Sequence, residues 1–249
     1  MTYSIALAGK GGTGKTTVAG MLIKYLVSRE KTPIIAVDAD SNANLNEVLG
    51  LEVTETVGNA REEMKKGVVP GGMTKDIFMS MKLEQAVVEA ASYDLIVMGQ
   101  PEGKGCYCAA NTLLTGFIER LTDNYPYLVM DNEAGMEHIS RLTTRDVDIL
   151  LIVSDTSRRS IQAAIRINEL ATTLSVGVGK TYLIINQVKE ELSAPVLEML
   201  HKAKLEIAGT IPEDKSIYEY DLNGQPTIEI AEDNAAVKAA FEIFEKIIR

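Results

Sequence analysis

The sequence has no tryptophan, four phenylalanines, two cysteines and two histidines among its 249 residues. Two cysteines cannot staple a chain of this size, so a disulfide scaffold is excluded. Within one chain they also cannot complete a four-ligand metal site unless other residues help. No apolar run reaches the roughly 18 residues of a membrane-spanning helix. The opening segment, MTYSIALAGKGG, lacks the basic and cleavable apolar regions of a signal peptide. Positive charge is also in short supply: 25 basic residues face 35 acidic ones, a formal charge of −10. Nucleic acid is therefore a poor main partner, because phosphate neutralisation needs lysine and arginine in excess. The expectation is a reduced, cytoplasmic, soluble protein with neither a membrane nor a nucleic-acid partner.

What the chain does have is 46% hydrophobic residues, ample for the core of one domain spanning 1–249. Runs rich in Ile, Leu and Val at 4–9, 33–38, 93–99, 126–131, 147–154, 180–186 and 205–211 read as strands. They do not alternate with polar residues, as expected of strands covered on both faces. Segments of helical period lie near 14–30, 76–92, 109–123, 158–174, 193–204 and 233–248. This alternation predicts an α/β fold, with a mostly parallel sheet of about seven or eight strands and helices on both faces. The stretch 52–75 is charged and then glycine-rich, and a mobile segment is expected there. Met73, Met79 and Met81 cluster near its end; soft metal ligation is one reading, and gap-filling in a core is the commoner one.

Residues 9–16 read GKGGTGKT, which satisfies the phosphate-loop pattern G-x-x-x-x-G-K-[ST] between a strand and a helix. Glycines let the N–H groups of Gly11, Gly12, Thr13 and Gly14 turn around phosphate oxygens, and the helix that carries Thr16 and Thr17 aims its positive end at them. Lys15 would reach the β- and γ-phosphates, and Thr16 would place its hydroxyl on Mg²⁺. Strand 33–38 runs into DADSNANL. Carboxylates there sit where open α/β sheets bind ligands, so Asp38 is a candidate to orient or deprotonate attacking water, with Asp40 near the γ-phosphate and Mg²⁺. In YLVMDNEAG, four apolar residues lead into Asp131, the pattern of an aspartate that holds Mg²⁺ through water. His138 titrates or binds metal in one reading and is structural in the other.

Lys10, second in the loop, makes the motif K-G-G-T-G-K-T. This resembles the deviant phosphate loop of the ATPase family that includes MinD, ArsA and the nitrogenase iron protein. The resemblance implies a nucleotide-sandwich homodimer in which Lys10 reaches the partner's nucleotide. The D-x-x-A-G form matches that family's second switch, which implies that the Gly135 N–H contacts the γ-phosphate. Asn186 follows a strand where the family places an asparagine on adenine, with Gln187 beside it. Ile211, Pro212 and Glu213 of TIPED resemble the segment lining the other side of the base. Lys189 stands where a guanine site would need an aspartate, so ATP is expected over GTP.

Both cysteines lie in one tripeptide, Cys106-Tyr107-Cys108, within a glycine-rich loop ahead of an expected helix. Thiols so placed should ionise readily. Two thiolates leave a tetrahedral ion half-ligated, and the same loop of a two-fold partner would complete an S₄ site for Zn²⁺ or Ni²⁺. The run PEGKGCYCAANTLL, together with GKGGTGKTT, VDADSN and DNEAGMEH, is similar to the CooC/AcsF-type ATPases. That resemblance implies ATP/ADP and Mg²⁺ as cofactors, nickel as cargo, and apo carbon monoxide dehydrogenase or acetyl-CoA synthase as client. Two rivals stand beside it. One is an ATP-driven electron donor with an Fe–S cluster bridging the dimer; it uses two cysteines per subunit in separate loops, which this chain lacks. The other is a MinD-like regulator at a membrane surface, which usually requires a basic amphipathic C-terminal helix. DNAAVKAAFEIFEKIIR instead mixes charges like a packing helix.

Overall fold

The apolar runs form one eight-stranded sheet in a computed structural model. The structure describes residues 2–40, 42, 44–66, 69–99, 116, 121, 124–132, 147–173 and 177–248. The strands are β1 (Tyr3–Ala8), β2 (Ile34–Asp38), β3 (Val87–Glu89), β4 (Tyr93–Val97), β5 (Tyr127–Asp131), β6 (Val147–Ser154), β7 (Val178–Val188) and β8 (Ile207–Pro212). Their order across the sheet is β3-β4-β2-β5-β1-β6-β7-β8. Every neighbouring pair is parallel except β3–β4. β1 sits between β5 and β6, so the chain builds outward from it in both directions. A crevice opens at the C-terminal strand ends where the order reverses, the usual ligand position in such sheets.

Successive residues of a strand face opposite ways. In β1, Ile5 and Leu7 join the core on one face, and Ala6 and Ala8 join the core on the other. The first face is covered by α1 (Lys15–Ser28) and by the last helix, α8 (Ala235–Ile247). Tyr25 of α1 meets Phe241 and Phe244 of α8, with ring centroids 5.4 and 5.6 Å apart. Asn234 caps α8, its side chain accepting from the N–H groups of Ala236 and Val237. The opposite face is covered by α5 (Arg158–Thr173) through Ile161, Ala164 and Ile167, and by α6 (Ala194–Lys202) through Val196 and Leu200. No helix among the described residues is long and apolar enough to cross a membrane.

The structure shortens one expected helix and adds elements that were not expected. The helix expected at 76–92 is α4 (Lys75–Gln85), opened by Thr74, whose hydroxyl accepts from Ile77 N–H; β3 then takes Val87–Glu89. The stretch 52–75 contains α3 (Val57–Lys65), which buries Val57 and Ala60. Three further elements were not anticipated: α2 (Leu45–Leu49), α7 (Lys215–Leu222) and a 3₁₀ turn at Thr227–Glu229. Met79 lies in the core at 4% exposure, filling space between α4 and the sheet. The helix expected at 109–123 lies almost wholly outside the described residues.

Candidate nucleotide-binding site

β1 ends at Ala8, and residues 9–14 turn the chain into α1. A Cβ on Gly9 would stand 2.2 Å from the Val153 carbonyl oxygen. One on Gly14, whose φ is +80°, would stand 2.4 Å from Asn186 Nδ2. Only glycine fits such contacts. The Thr13 hydroxyl donates to the Lys10 carbonyl at 2.9 Å, Asn186 Nδ2 donates to the Thr13 carbonyl at 2.9 Å, and Gln187 Nε2 to the Gly12 carbonyl at 3.5 Å. Carbonyl and following N–H point oppositely across a planar peptide. With these three carbonyls turned to protein donors, the N–H groups of Gly11, Thr13 and Gly14 face the other way, as an anion cradle requires.

That side of the loop opens on a cavity of about 600 Å³. Gly11, Gly12, Gly14, Lys15, Thr16 and Thr17 line one wall, and Asp40, Asn42, Asn44 and Glu47 a second. Gln187, Asp221 and Gln225 line a third. Lys15 is 8% exposed, and its Nζ donates to the Lys10 carbonyl at 3.4 Å. It is a largely desolvated cation at the root of the cradle.

Two buried carboxylates lie beneath it. Asp38 and Asp131 are register partners on β2 and β5, and both are buried. Asp38 accepts from Leu45 N–H at 2.9 Å and from Asp40 N–H at 3.1 Å. Burial pushes its carboxyl up to about 6, although the N–H bonds pull the other way. Burial pushes Asp131 up to about 7; the Thr16 hydroxyl donating to it opposes the shift, and the charge of Asp38 adds to it. Asp131 Oδ1 has no hydrogen-bond partner, nor does Oδ1 of the neighbouring Asn132. Thr16, Asp131 with its free oxygen, and cavity-facing Asp40 form an all-oxygen donor set that fits Mg²⁺ beside a phosphate. Magnesium there would cancel the charge that makes these carboxylates costly to bury.

The sequence-derived residues divide by position. Gly11, Gly12, Gly14, Lys15, Thr16, Thr17, Asp40 and Gln187 meet at the cavity. Thr13 is fully buried behind the loop, and Lys10 is exposed. Asp38 is fully buried with both oxygens held by backbone N–H groups, so in this state it shapes the 38–45 loop and Asp40 faces the cavity. Asn186, expected to contact the base, donates from Nδ2 to the Thr13 carbonyl. Ile211 is buried in the core under α1 and α8, Pro212 pairs with Val188, and Glu213 forms a surface ion pair with Lys189 at 3.0 Å. Asp221 and Gln225 reach the cavity unanticipated; the turn-rich run DLNGQP was the signal that could have found them. Cys106, Cys108, Gly135 and His138 lie outside the described residues. Among the described residues, no group of three or more His, Cys, Asp or Glu is placed to hold a metal ion.

Comparison with known proteins agrees with this geometry. The family model described as CobQ/CobB/MinD/ParA nucleotide binding domain matches residues 4–228. An uncharacterized ATP-binding protein of Methanocaldococcus jannaschii is 44% identical over 248 residues, covering 98% of each chain. The carbon monoxide dehydrogenase accessory protein CooC of Rhodospirillum rubrum is 33% identical over 239 residues, covering 88% of this chain and 87% of that one. Among solved structures, the septum site-determining protein MinD of Pyrococcus horikoshii with Mg-ADP superposes with a TM-score of 0.72 at 21% identity, covering 100% of this chain and 97% of that one.

Proposed function

The chain belongs to the CobQ/CobB/MinD/ParA nucleotide-binding domain family, and on that premise we propose that it is a metal-carrying homodimer that serves carbon monoxide dehydrogenase or acetyl-CoA synthase. It is a P-loop ATPase, and ATP with Mg²⁺ is the ligand that its crevice suits. The observation that carries the finer reading is the 33% identity to the accessory protein CooC along 88% of the chain. The Cys106-Tyr107-Cys108 tripeptide, which two copies would bring to four thiolates, adds to it.

In this reading one domain over 1–249 does the work. The backbone of Gly11 to Gly14 cradles the phosphates, and Lys15 neutralises the β- and γ-oxygens. Thr16 and Asp131 hold magnesium, which when bound supplies charge stabilisation to the phosphoryl group in transfer. Asp40 meets the γ-phosphate end. Asp38 keeps the 38–45 loop in register with β5 and, once that loop moves, is the base nearest to water. Lys10 crosses to the partner's nucleotide, so ATP draws two copies together and their cysteine loops grip one Ni²⁺ or Zn²⁺. Release of phosphate frees the loops at 38–44 and 131–138, and the metal passes to the client. Such coupling requires that metal affinity differ between nucleotide states.

Light scattering that crosses ATP and ADP with Ni²⁺ and Zn²⁺, repeated on Cys106→Ser/Cys108→Ser, tests this. The expectation is a dimer with one metal per two chains in ATP, lost in the double variant while nucleotide still binds. Equal metal affinity in both nucleotide states would sink the coupling. A second reading, a MinD-like regulator, draws on the shared fold; ATP-dependent sedimentation with lipid vesicles and no metal uptake would favour it. A stoichiometric iron–sulfide cluster after anaerobic purification would favour the electron donor.

A further inference from the structure

Asn132 directly follows β5, and its side chain is fixed by one of its two functions. Its main-chain N–H donates to the Leu7 carbonyl at 3.3 Å. Its side-chain Nδ2 donates to the same carbonyl at 2.9 Å and, weakly, to Met130 O at 3.5 Å. Turning the amide over would press Oδ1 against two carbonyl oxygens, so the donors decide its orientation. Oδ1 is left as a buried acceptor with no donor, in a residue that is 1% exposed. The next residue back, Asp131, also 1% exposed, carries the other orphaned buried oxygen among the described residues.

Unpaired acceptors on two consecutive buried residues are costly in a protein interior, and native structures resolve such groups with water or a ligand. Both lie at the ends of β5 and β1, where β1 passes into the phosphate loop, and Thr16 already donates to Asp131. Water bound to a divalent cation is a strong donor, and its hydrogens are what this corner lacks. We infer that Asn132 Oδ1 accepts a hydrogen bond from magnesium-bound water, which makes Asn132 a positioning residue for the metal. The Nδ2 bonds to Leu7 and Met130 hold that acceptor in place in advance. The inference rests on reading the crevice as a magnesium–nucleotide site.

The experiment separates the acceptor from the donor. A fluorescent ADP analogue is bound to wild type, Asn132→Ala and Asn132→Asp, first in EDTA and then over a Mg²⁺ titration. Loss of an outer ligand of this kind weakens metal binding by about tenfold or more. Asn132→Ala is expected to bind Mg²⁺ about tenfold more weakly, with affinity for the analogue in EDTA unchanged. Asn132→Asp keeps an acceptor but sets its second oxygen against the Leu7 carbonyl, so its Mg²⁺ affinity is expected to fall between wild type and Asn132→Ala. Unchanged Mg²⁺ affinity in Asn132→Ala would overturn the inference alone. So would an equal loss in EDTA, the mark of a loop merely distorted, or an equal loss in Asn132→Asp. Should the alanine variant fail to fold, Asn132→Ser takes its place with the same two outcomes. A wild-type chain that binds no analogue at all would overturn the magnesium–nucleotide reading as well.

Discussion

The two ends of α1 are built to opposite specifications. Near its C-terminus, Tyr25 packs on Phe241 and Phe244, its hydroxyl donates to Glu245 at 2.9 Å, and Arg29 pairs with the same carboxylate at 3.2 Å. At its N-terminus the chain holds left-handed glycines, a desolvated lysine, two buried carboxylates and two orphaned oxygens. The first region is satisfied without help and serves stability. The second is incomplete until something anionic and something divalent arrive, and its cost is the binding energy kept for them. One helix thus joins a settled anchor to an unsettled site.

Breaking the anchor should have the largest effect. Phe244→Ala empties a fully buried ring position and should cost about 3–5 kcal/mol in urea unfolding, with nucleotide affinity per folded molecule preserved. Breaking the site should do the reverse: Lys15→Ala should weaken ATP binding by roughly 100-fold in isothermal titration and change unfolding free energy by less than about 1 kcal/mol. Gly14→Ala should fall between, costing about 1–2 kcal/mol from the left-handed backbone. It also drives Asn186 off Thr13, so phosphate affinity should drop with it.

A smaller effect should sharpen the contrast through pH. Asp131 is pushed from the usual 3.8 up to about 7 in the folded chain. A raised acid contributes stability that is complete below about 4 and is lost as pH rises through about 7. Nucleotide-free wild type and Asp131→Asn should therefore melt alike near pH 4, while at pH 8 the variant, with no charge to bury, should melt higher. Saturating Mg²⁺ and nucleotide should reverse that order. The same comparison at the anchor end should give little, since Arg29→Ala removes an exposed ion pair of about 0–1 kcal/mol.

Much of this architecture was legible in advance, for identifiable reasons. Unbroken Ile/Leu/Val runs give doubly covered strands wherever they occur, and seven of the eight strands were found from them. β3 was missed because Val87 and Val88 continue the period of α4; what makes them a strand is the β4 edge, where Val87 pairs with Ile96. α3 was missed because VGNAREEMK is mostly polar and charged, with Val57, Ala60 and Met64 its apolar side chains. Its start is set by Thr56, whose hydroxyl accepts from Asn59 N–H at 3.1 Å, and by Gly58 N–H donating to Met98 at 2.9 Å. Thr56 in turn leaves no room for a side chain on Gly99, whose Cβ would fall 2.6 Å from the threonine hydroxyl.

At the crevice the division follows from the range of the forces involved. A phosphate loop is a local object: eight consecutive residues carry its glycines, its lysine and its hydroxyl, so GKGGTGKT could be read without any tertiary contact. Which carboxylate faces the cavity depends instead on pairings across nearly a hundred residues. β2 against β5 sets Asp38 beside Asp131, and the N–H groups of Leu45 and Asp40 then enclose it, leaving Asp40 outside. Asn186 meets Thr13 across 173 positions, and Asn132 meets Leu7 across 125. Residue type told what chemistry each group could do; strand register decided which groups were free to do it.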